Sequence, residues 1–379
     1  MSDHVTLIAT ATMGLEALVA REVKELGYEN VTVENGRVEF EAPVEAVART
    51  NMWLRTADRV KIKVAEFKAY SFEELFERTK ATAWEDYLPE DAEFPVIGRS
   101  VKSTLYSVPD CQSIVKKAVV ERLKQTYHKE WFAESGGVYK IEIALHKDTA
   151  VLTIDTSGAG LHKRGYRAVQ NTAPLKETLA ASLVMLTNWQ PDRPFADPFC
   201  GSGTIPIEAA LIGQKIAPGF NRDFAAESWE WLDPGIWERA RQEAEDKAEY
   251  DQPLEIQGSD IDHRIVELAR ENAMEAGLYG VVSFKQMQAS DFTAKKPYGC
   301  LVSNPPYGER LGEKESIDTL YQEIGQAFRS LETWSIYILT SNEKFESLYG
   351  KKATKKRKLY NGKIKTDYYQ YWGQRPPKN

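Results

Sequence analysis

The second half of the chain alternates apolar segments with amphipathic ones, and this alternation restricts the possible folds more than any other feature. The strand-like segments are FADPF, EIQGSDI, VVSFKQM, YGCLVSN and SIYILTS, and segments with a helical period, such as DHRIVELARENAMEAGL, separate them. Apolar strands that alternate with helices predict a mainly parallel sheet covered on both faces. The segment KKRKLYNGKIKTDYYQYW predicts an antiparallel hairpin, turning at Asn361-Gly362, at the edge of that sheet.

The first 157 residues contain shorter elements that predict two α+β units. One unit includes the strand VTLIATA and a hairpin in VTVENGRVEFEA that turns at Asn35-Gly36. The other runs from the strand RVKIKVAEFKA through the helix PDCQSIVKKAVVERLKQTY to the strands VYKIEIALHKD and AVLTIDTS. The glycine-containing basic stretch GAGLHKRGYRAVQNTAP predicts the boundary to the second half. Residues 217–253 form a Trp- and acid-rich insertion whose pattern indicates no role.

The composition is that of a soluble globular protein, with 42% of the 379 residues hydrophobic and 28% charged. No run approaches the roughly 20 apolar residues that span a bilayer. The start, MSDHVTLIATATMG, lacks the order of a signal peptide, so we expect a cytoplasmic protein without a membrane partner. Cys111, Cys200 and Cys300 lie far apart, which predicts buried reduced thiols rather than disulfides or a metal site.

The net charge of -7 argues against general affinity for nucleic acid, but the charge is unevenly distributed. Residues 351–379 contain ten Lys or Arg and a single acid, Asp367. The basic hairpin in this region is weak evidence for RNA binding, because charged edge strands also protect a sheet against aggregation.

The stretch FADPFCGSGTIPIEAA predicts a strand, a glycine-rich turn and the start of a helix. Gly201 and Gly203 have no Cβ, so a ligand can approach the backbone at the carboxyl end of the strand. The following helix offers free N–H groups to an anion. Ile205 and Pro206 replace the third glycine of a dinucleotide-binding motif, which favours a carboxylate over a pyrophosphate.

Acidic residues follow the next two strands. Asp260 or Asp262 can accept hydrogen bonds from both hydroxyls of a ribose, and Asp291 can accept from an adenine amino group. The alternatives are a helix cap for Asp260 or Asp262 and a cap of a short turn for Asp291. An adenosine with a carboxylate-bearing tail satisfies all these positions, and S-adenosylmethionine is such a ligand.

A further motif, LVSNPPYGERLG, ends an apolar run on Asn304 and two prolines. The prolines remove two backbone donors and hold the preceding residues extended, so neither a helix nor a central strand can continue there. One interpretation is an ordinary turn after a buried strand. The other is a rigid platform that holds a flat amine.

Residues 174–379 resemble class I S-adenosylmethionine-dependent methyltransferases, with DPFCGSGT as the cofactor loop and NPPY as the amine-methylation motif. The whole chain is similar to the THUMP-domain RNA methyltransferases that form N2-methylguanosine in 23S ribosomal RNA. GRSVKSTLYSVPDCQSIVKKAV resembles the THUMP core, LHKRGYR the connecting motif, and APLKETLAA the helix that closes over the cofactor. The implied domains are ferredoxin-like α+β (1–57), THUMP (58–157), a basic connector (158–173) and a Rossmann-like α/β methyltransferase domain with a mainly parallel seven-stranded sheet (174–379).

The resemblance also implies the residues of the site. The predicted cofactor-binding residues are Pro174, Asp197, Phe199, Gly201, Ser202, Gly203, Thr204, Asp260, Ile261, Asp291 and Asn304. The predicted catalytic residues are Asn304, Pro305, Pro306 and Tyr307, and no metal is expected.

The NPPY motif suits the chemistry of an exocyclic purine amine, whose lone pair is delocalised into the ring. The Asn304 side-chain oxygen and the Pro305 carbonyl can hold the two amine hydrogens and turn the lone pair toward the methyl donor. Tyr307 can stack on the base, an interaction worth about 1–3 kcal/mol. The prolines stiffen the loop, so that alignment costs little entropy. The proton can leave after transfer, and no general base is assigned.

A base inside a duplex cannot reach this motif, so the target is expected to be single-stranded or flipped out. The basic residues predicted to contact RNA phosphates, beside Tyr106 and Tyr166, are Arg99, Lys102, Lys116, Lys117, His162, Lys163, Arg164 and Arg167. The alternative for each is a solvated charged surface.

We therefore predict a methyltransferase acting on N2 of guanine in 23S ribosomal RNA, free or in an assembly intermediate. Transfer RNA is the nearest alternative substrate, since THUMP domains also occur in tRNA enzymes. DNA adenine or a protein glutamine amide would also fit NPPY, although the N-terminal units argue against them. A non-catalytic RNA-binding protein is the alternative from another class, and the intact motifs argue against it. The oligomeric state is not predicted.

Overall fold

The computed structural model of the chain describes residues 3–167, 175–308 and 314–377. The chain divides into two compact units. Unit 1 comprises Met1–Ala11, Val19–Leu161 and Arg222–Glu243, and unit 2 comprises Thr12–Leu18, His162–Asn221 and Ala244–Asn379.

The strands are β1 His4–Thr10, β2 Thr32–Glu34, β3 Arg37–Pro43, β4 Arg59–Lys68, β5 Val96–Val101, β6 Ile141–His146, β7 Thr149–Asp155, β8 Phe195–Asp197, β9 Ile256–Asp260, β10 Val282–Gln286, β11 Cys300–Ser303, β12 Ser335–Thr340, β13 Lys355–Asn361 and β14 Ile364–Tyr371. The α-helices are α1 Glu16–Glu25, α2 Ala46–Trp53, α3 Phe72–Lys80, α4 Val108–Tyr127, α5 Glu177–Met185, α6 Thr204–Gly213, α7 Gly235–Lys247, α8 His263–Glu275, α9 Lys314–Arg329 and α10 Phe345–Tyr349.

Unit 1 is built on one seven-stranded sheet in the order β2-β3-β1-β4-β7-β6-β5. Only β5 and β6 run parallel, and the predicted hairpin between β2 and β3 is present. Antiparallel pairing of β1 with β4 joins the two predicted α+β units. The predicted ranges 1–57 and 58–157 therefore correspond to two parts of one continuous sheet.

Part of the 217–253 insertion belongs to unit 1. The Trp229 ring stacks on Tyr139 with centroids 4.7 Å apart, and its indole N–H donates to the Val138 carbonyl at 2.9 Å. Glu243 accepts two hydrogen bonds from the Arg49 guanidinium, at 2.8 and 2.9 Å. The tryptophans of the insertion thus supply apolar surface to unit 1, which their position in the sequence does not indicate.

Unit 2 is built on a second seven-stranded sheet in the order β10-β9-β8-β11-β12-β14-β13. The strands β10, β9, β8, β11 and β12 run parallel to one another. The predicted hairpin adds β14 and β13 antiparallel at the edge of the sheet. Its two-residue turn lies at Gly362-Lys363, one residue later than predicted. The predicted fold class, a mainly parallel Rossmann-like sheet preceded by α+β domains, is confirmed.

The segment Thr12–Leu18 also belongs to unit 2. Leu15 and Leu18 are buried in the core of this unit together with Leu359 of β13. The Arg357 guanidinium donates to the Gly14 carbonyl at 2.9 Å, which fixes the segment to the C-terminal hairpin. This segment of the predicted domain 1–57 therefore packs within unit 2.

All three cysteines are free and buried, as the sequence predicts. Among the residues that the structure describes, no helix combines the length and apolar character that crossing a bilayer needs.

Candidate active site

A cavity of about 810 Å³ lies in unit 2 at the carboxyl ends of β8, β9 and β11. This is the edge where open α/β sheets bind ligands. Eight of the predicted site residues line it, and they are Phe199, Gly201, Asp260, Ile261, Asn304, Pro305, Pro306 and Tyr307. The lining residues that were not among the predicted site residues are Pro198, Ile265, Gln288, Ala289, Ser290, Leu320, Glu323 and Asn361.

The two glycines of the cofactor loop have different roles. Gly201 has φ +51°, and no atom lies within 4 Å of the position that a Cβ would take, so its backbone is open to a ligand. Gly203 has φ +87°, and a Cβ there would stand 3.0 Å from both the Phe284 ring and the Ala269 side chain. Gly203 therefore permits close packing at the start of α6, while Gly201 faces the cavity.

Asp260 is held by backbone donors on both sides. Its Oδ2 accepts from the Gly201 amide at 3.1 Å, and its Oδ1 accepts from the Asp262 amide at 3.0 Å. Asp262 caps α8 by accepting from the Arg264 amide at 2.9 Å. The alternative of a helix cap is thus confirmed for Asp262, and Asp260 remains the candidate for the ribose.

Asp197 lies beneath the loop rather than in the cavity. Its carboxylate is buried and accepts from the Ser303 hydroxyl at 2.6 Å and from the Phe199 amide at 3.0 Å. Burial raises the pKa of Asp197 to about 7, and the two hydrogen bonds partly oppose this shift. The side chain therefore connects the cofactor loop to the end of β11, directly before Asn304.

Several predicted residues do not line the cavity. Ser202, Thr204 and Asp291 are outside the lining, although Gln288, Ala289 and Ser290, which precede Asp291, belong to it. The Asp291 side chain is exposed at the end of a short 3-10 turn. Pro174 lies outside the described residues.

The NPPY loop is fixed by hydrogen bonds around its prolines. The Pro306 carbonyl accepts from the Tyr321 hydroxyl at 2.6 Å, and burial raises the pKa of Tyr321 so that it stays protonated. The Tyr307 hydroxyl donates to Asn304 Oδ1, and the Asn361 side-chain amide donates to the Tyr307 hydroxyl oxygen at 3.2 Å. The Pro305 carbonyl has no protein donor among the described residues, and Pro305 is a buried residue that lines the cavity.

Asn361, the last residue of β13, was missed as a site residue. The sequence indicates it only as part of a turn, because nothing in the local pattern shows that the end of the hairpin reaches the NPPY loop.

The prediction that Arg164 contacts RNA is wrong. Its guanidinium is buried and donates to both oxygens of Glu208, at 3.3 and 3.2 Å. Tyr166 is also buried and donates to the same carboxylate at 2.9 Å. These connector side chains therefore point into unit 2.

Arg167, also predicted as a phosphate contact, is likewise directed into unit 2. It pairs with Glu177 and donates to the Leu175 carbonyl and the Thr204 hydroxyl, both at 2.8 Å. The two remaining basic residues of the connector are half-buried His162 and exposed Lys163.

The basic residues predicted in the THUMP region are mostly exposed. Arg99, Lys102 and Lys117 have exposed side chains, and Arg99 lies 3.3 Å from Glu142. Lys116 is instead engaged within unit 1, where it pairs with Glu134 and donates to the Phe94 carbonyl at 3.1 Å. Arg99, Lys102 and Lys117 therefore remain candidates for phosphate contacts.

A parallel sheet with an antiparallel C-terminal hairpin, and a cavity over the glycine loop and the NPPY loop, defines a class I methyltransferase. Comparison with protein families agrees. Residues 164–370 match a methyltransferase domain described as RMKL-like, residues 6–61 an RlmL ferredoxin-like domain and residues 69–155 a THUMP domain.

Full-length relatives share this arrangement. A Bacillus subtilis protein named "Putative RNA methyltransferase YpsC" is 64% identical over 98% of this chain and 97% of its own length. A solved structure from Listeria monocytogenes, described as a "predicted N6-adenine-specific DNA methylase", is 60% identical with a TM-score of 0.94, covering 98% of this chain and 97% of that one. A solved structure described as "SMU.472, a putative methyltransferase complexed with SAH" is 51% identical over all of both chains with a TM-score of 0.95.

The chain belongs to the THUMP-domain family of RNA methyltransferases, with an RMKL-like catalytic domain and an RlmL ferredoxin-like domain. The prediction that the methyl donor is S-adenosylmethionine is confirmed as well.

Proposed function

We propose that this protein transfers a methyl group from S-adenosylmethionine to the exocyclic N2 amine of a guanine in 23S ribosomal RNA. The observation that carries the proposal is that Asn304 and Pro305 line the same cavity as Gly201 and Asp260, and that the Pro305 carbonyl has no protein donor among the described residues.

The residues of the cavity fit the cofactor. Gly201 leaves room for a ligand against its backbone, and the oriented Asp260 carboxylate suits the ribose hydroxyls. Ile261 and Ala289 provide apolar walls for an adenine. When bound, S-adenosylmethionine supplies an electrophilic methyl group, and the protein has to present the amine to it.

The NPPY loop can present that amine with little rearrangement. Because Tyr321 donates to the Pro306 carbonyl, the loop is fixed, and the Pro305 carbonyl has no donor among the described residues. Asn304 Oδ1 accepts from Tyr307, but an amide oxygen has two lone pairs and can accept from the amine as well. The two acceptors hold both amine hydrogens and direct the nitrogen lone pair out of the ring plane.

The hydrogen bonds of Tyr307 modify the role predicted for it. Since Asn361 donates to the Tyr307 oxygen, the tyrosine proton is directed to Asn304. Tyr307 therefore orients the Asn304 amide in this state, and its ring remains partly exposed for stacking on a base.

Unit 1 offers a surface that suits RNA. The ends of β4 and β5 meet the turn between β6 and β7, because the Ala69 amide donates to the Asp148 carbonyl and the Lys147 amide to the Val101 carbonyl. The exposed residues at this end of the sheet, here called the sheet-end surface, are Lys68, Tyr70, Lys102, Tyr106 and Lys147. Cationic and aromatic side chains together can bind phosphates and unpaired bases.

RNA as the substrate is supported by the THUMP domain and by the name of the Bacillus relative. The name of the Listeria structure suggests adenine N6 instead, and the acceptors of the NPPY loop suit either amine. Guanine N2 rests on the similarity to the rRNA family, so the experiment has to identify the base as well as the RNA.

The test incubates the full-length protein with methyl-labelled S-adenosylmethionine and RNA from cells that lack this protein. Ribosomal RNA, transfer RNA and ribosomal precursor particles are assayed separately, and nucleosides are identified by mass spectrometry after digestion. The N304A variant is the control for contaminating activity. N2-methylguanosine in 23S RNA, free or in particles, is the expected product. Label in transfer RNA or in methyladenosine would overturn the proposal.

A further inference from the structure

Arg167 contacts the start of α5 and the glycine-rich turn that leads into α6. Its guanidinium pairs with Glu177 in the first turn of α5 and donates to the Leu175 carbonyl just before that helix at 2.8 Å. It also donates to the hydroxyl of Thr204, the first residue of α6, at 2.8 Å and approaches the Ser202 hydroxyl at 3.4 Å. One side chain thus connects the start of α5 to the glycine-rich turn.

The contacts of Arg167 differ from those expected of a phosphate-binding arginine. Its side chain is only 15% exposed, and it is not among the described residues that line the cavity. Its partners are protein groups that fix the turn. The adjacent connector arginine, Arg164, is also turned inward, toward Glu208 in the same helix α6.

The turn needs such support because its own sequence favours flexibility. Gly201 and Gly203 both have positive φ and no side chain to anchor, and glycine loses more conformational freedom on ordering than other residues. A ligand that binds a mobile loop has to order it, which lowers the affinity.

We propose that Arg167 is a positioning residue for the cofactor, which holds the Gly201–Thr204 turn in its ligand-binding geometry and does not contact RNA. The inference rests on the use of S-adenosylmethionine and not on the identity of the substrate RNA. It therefore remains testable if the guanine or 23S assignment fails.

The experiment measures the affinity of S-adenosylhomocysteine for the full-length protein by calorimetry. Arg167→Lys keeps a cation beside Glu177 but cannot bridge to Leu175 and Thr204 together. The loss of two hydrogen bonds should weaken binding by about tenfold. The matched control is Arg329→Lys, which changes an arginine bonded to the Gly325 carbonyl in α9 and should leave the affinity unchanged.

A second variant separates positioning from general stability. Thr204→Val removes one acceptor of Arg167, and its effect should not add to that of Arg167→Lys in the double variant, because both break the same connection. The KM for S-adenosylmethionine should rise in each variant, while the dissociation constant for RNA without cofactor stays unchanged.

Unchanged affinity for S-adenosylhomocysteine in Arg167→Lys would overturn the proposal, as would fully additive effects of the two substitutions. Weaker RNA binding with normal cofactor binding would restore the phosphate-contact interpretation. An equal loss of affinity in Arg329→Lys would show a general response to arginine substitution and would also contradict it. If Arg167→Lys does not fold, unchanged affinity in Thr204→Val alone rejects the inference.

Discussion

The NPPY loop and the connector LHKRGYR were both predicted to contact the substrate, yet the structure places their side chains very differently. The NPPY loop lines the cavity, and its Pro305 carbonyl has no protein donor among the described residues. The connector directs Arg164, Tyr166 and Arg167 into unit 2, against Glu208, Glu177 and the start of α6. The geometry of a motif can be predicted from the sequence where prolines restrict its backbone. For a motif of charged side chains, the sequence does not show whether they point to solvent or into the protein.

The backbone shows why the connector can follow this path. Gly165 has φ +100°, and a Cβ at this position would stand 2.6 Å from the Asn221 carbonyl oxygen. Only glycine permits such a close approach between two segments of unit 2. Pairs of arginine and glutamate are compatible with burial when each charge is matched, but sequence alone does not show that Glu208 lies opposite Arg164.

Removal of Arg164 is expected to have the largest effect on stability. A small effect would contradict the conclusion that this connector side chain is buried against Glu208. Arg164→Ala leaves Glu208 buried without a cation, which should lower the free energy of unfolding by about 3–5 kcal/mol. Chemical denaturation measures the change. The exposed pair between Lys215 and Glu249 is the control, since Lys215→Ala should cost at most about 1 kcal/mol.

If Arg164→Ala keeps its stability but binds RNA more weakly, Arg164 faces solvent and the interpretation of a buried ion pair is wrong. The double variant R164M/E208M should recover most of the lost stability, because apolar residues can replace a buried ion pair.

Asn304→Ala tests the other side of the comparison. It removes an acceptor for the amine, and the loss of one oriented polar group in an active site typically lowers kcat by about 10²–10³-fold. Single-turnover methylation gives the rate, and calorimetry should show folded protein that still binds S-adenosylhomocysteine. Asn342→Ser, outside the cavity, is the matched control. Turnover within about threefold of the unchanged protein would refute the role of Asn304 in presenting the amine.

Much of the fold and of the cofactor site could be predicted from the sequence, because both depend on local patterns. The alternation of strands and helices predicts the unit 2 sheet, and the glycines and acids that follow its strands include Gly201 and Asp260, which line the cavity. Asn361 could not be predicted, because its approach to Tyr307 depends on the register of the C-terminal hairpin. Nor could the packing of Trp229 on Tyr139, which joins residues 90 positions apart in the sequence.

The pH dependence of stability tests whether the carboxyl group of Asp197, which accepts hydrogen bonds from β11 and from the cofactor loop, is buried with a raised pKa. The pKa of Asp197 is about 7 in the folded protein and near 3.8 when unfolded, so the folded state binds the proton more tightly. This contribution to stability is complete below pH 4 and is lost as the pH rises to about 7, a change on the order of 4 kcal/mol. Asp197→Asn should remove this component from a comparison of unfolding free energies between pH 5 and pH 8. The same pH profile in both proteins would show that the carboxyl group has an ordinary pKa.

The smallest effect is expected at the sheet-end surface, and it sharpens the contrast with the connector. Lys102 is exposed, so Lys102→Ala should change the free energy of unfolding by less than about 0.5 kcal/mol. If Lys102 binds a phosphate, the affinity for RNA should fall a few-fold, and the slope of log K against log salt should decrease by about one. Lys24→Ala, at the end of α1, is the matched change of an exposed lysine. Equal RNA affinities and salt slopes for both variants would place the phosphate contacts elsewhere. A change at Lys102 alone would show that the sheet-end surface binds RNA, in contrast to the buried arginines of the connector.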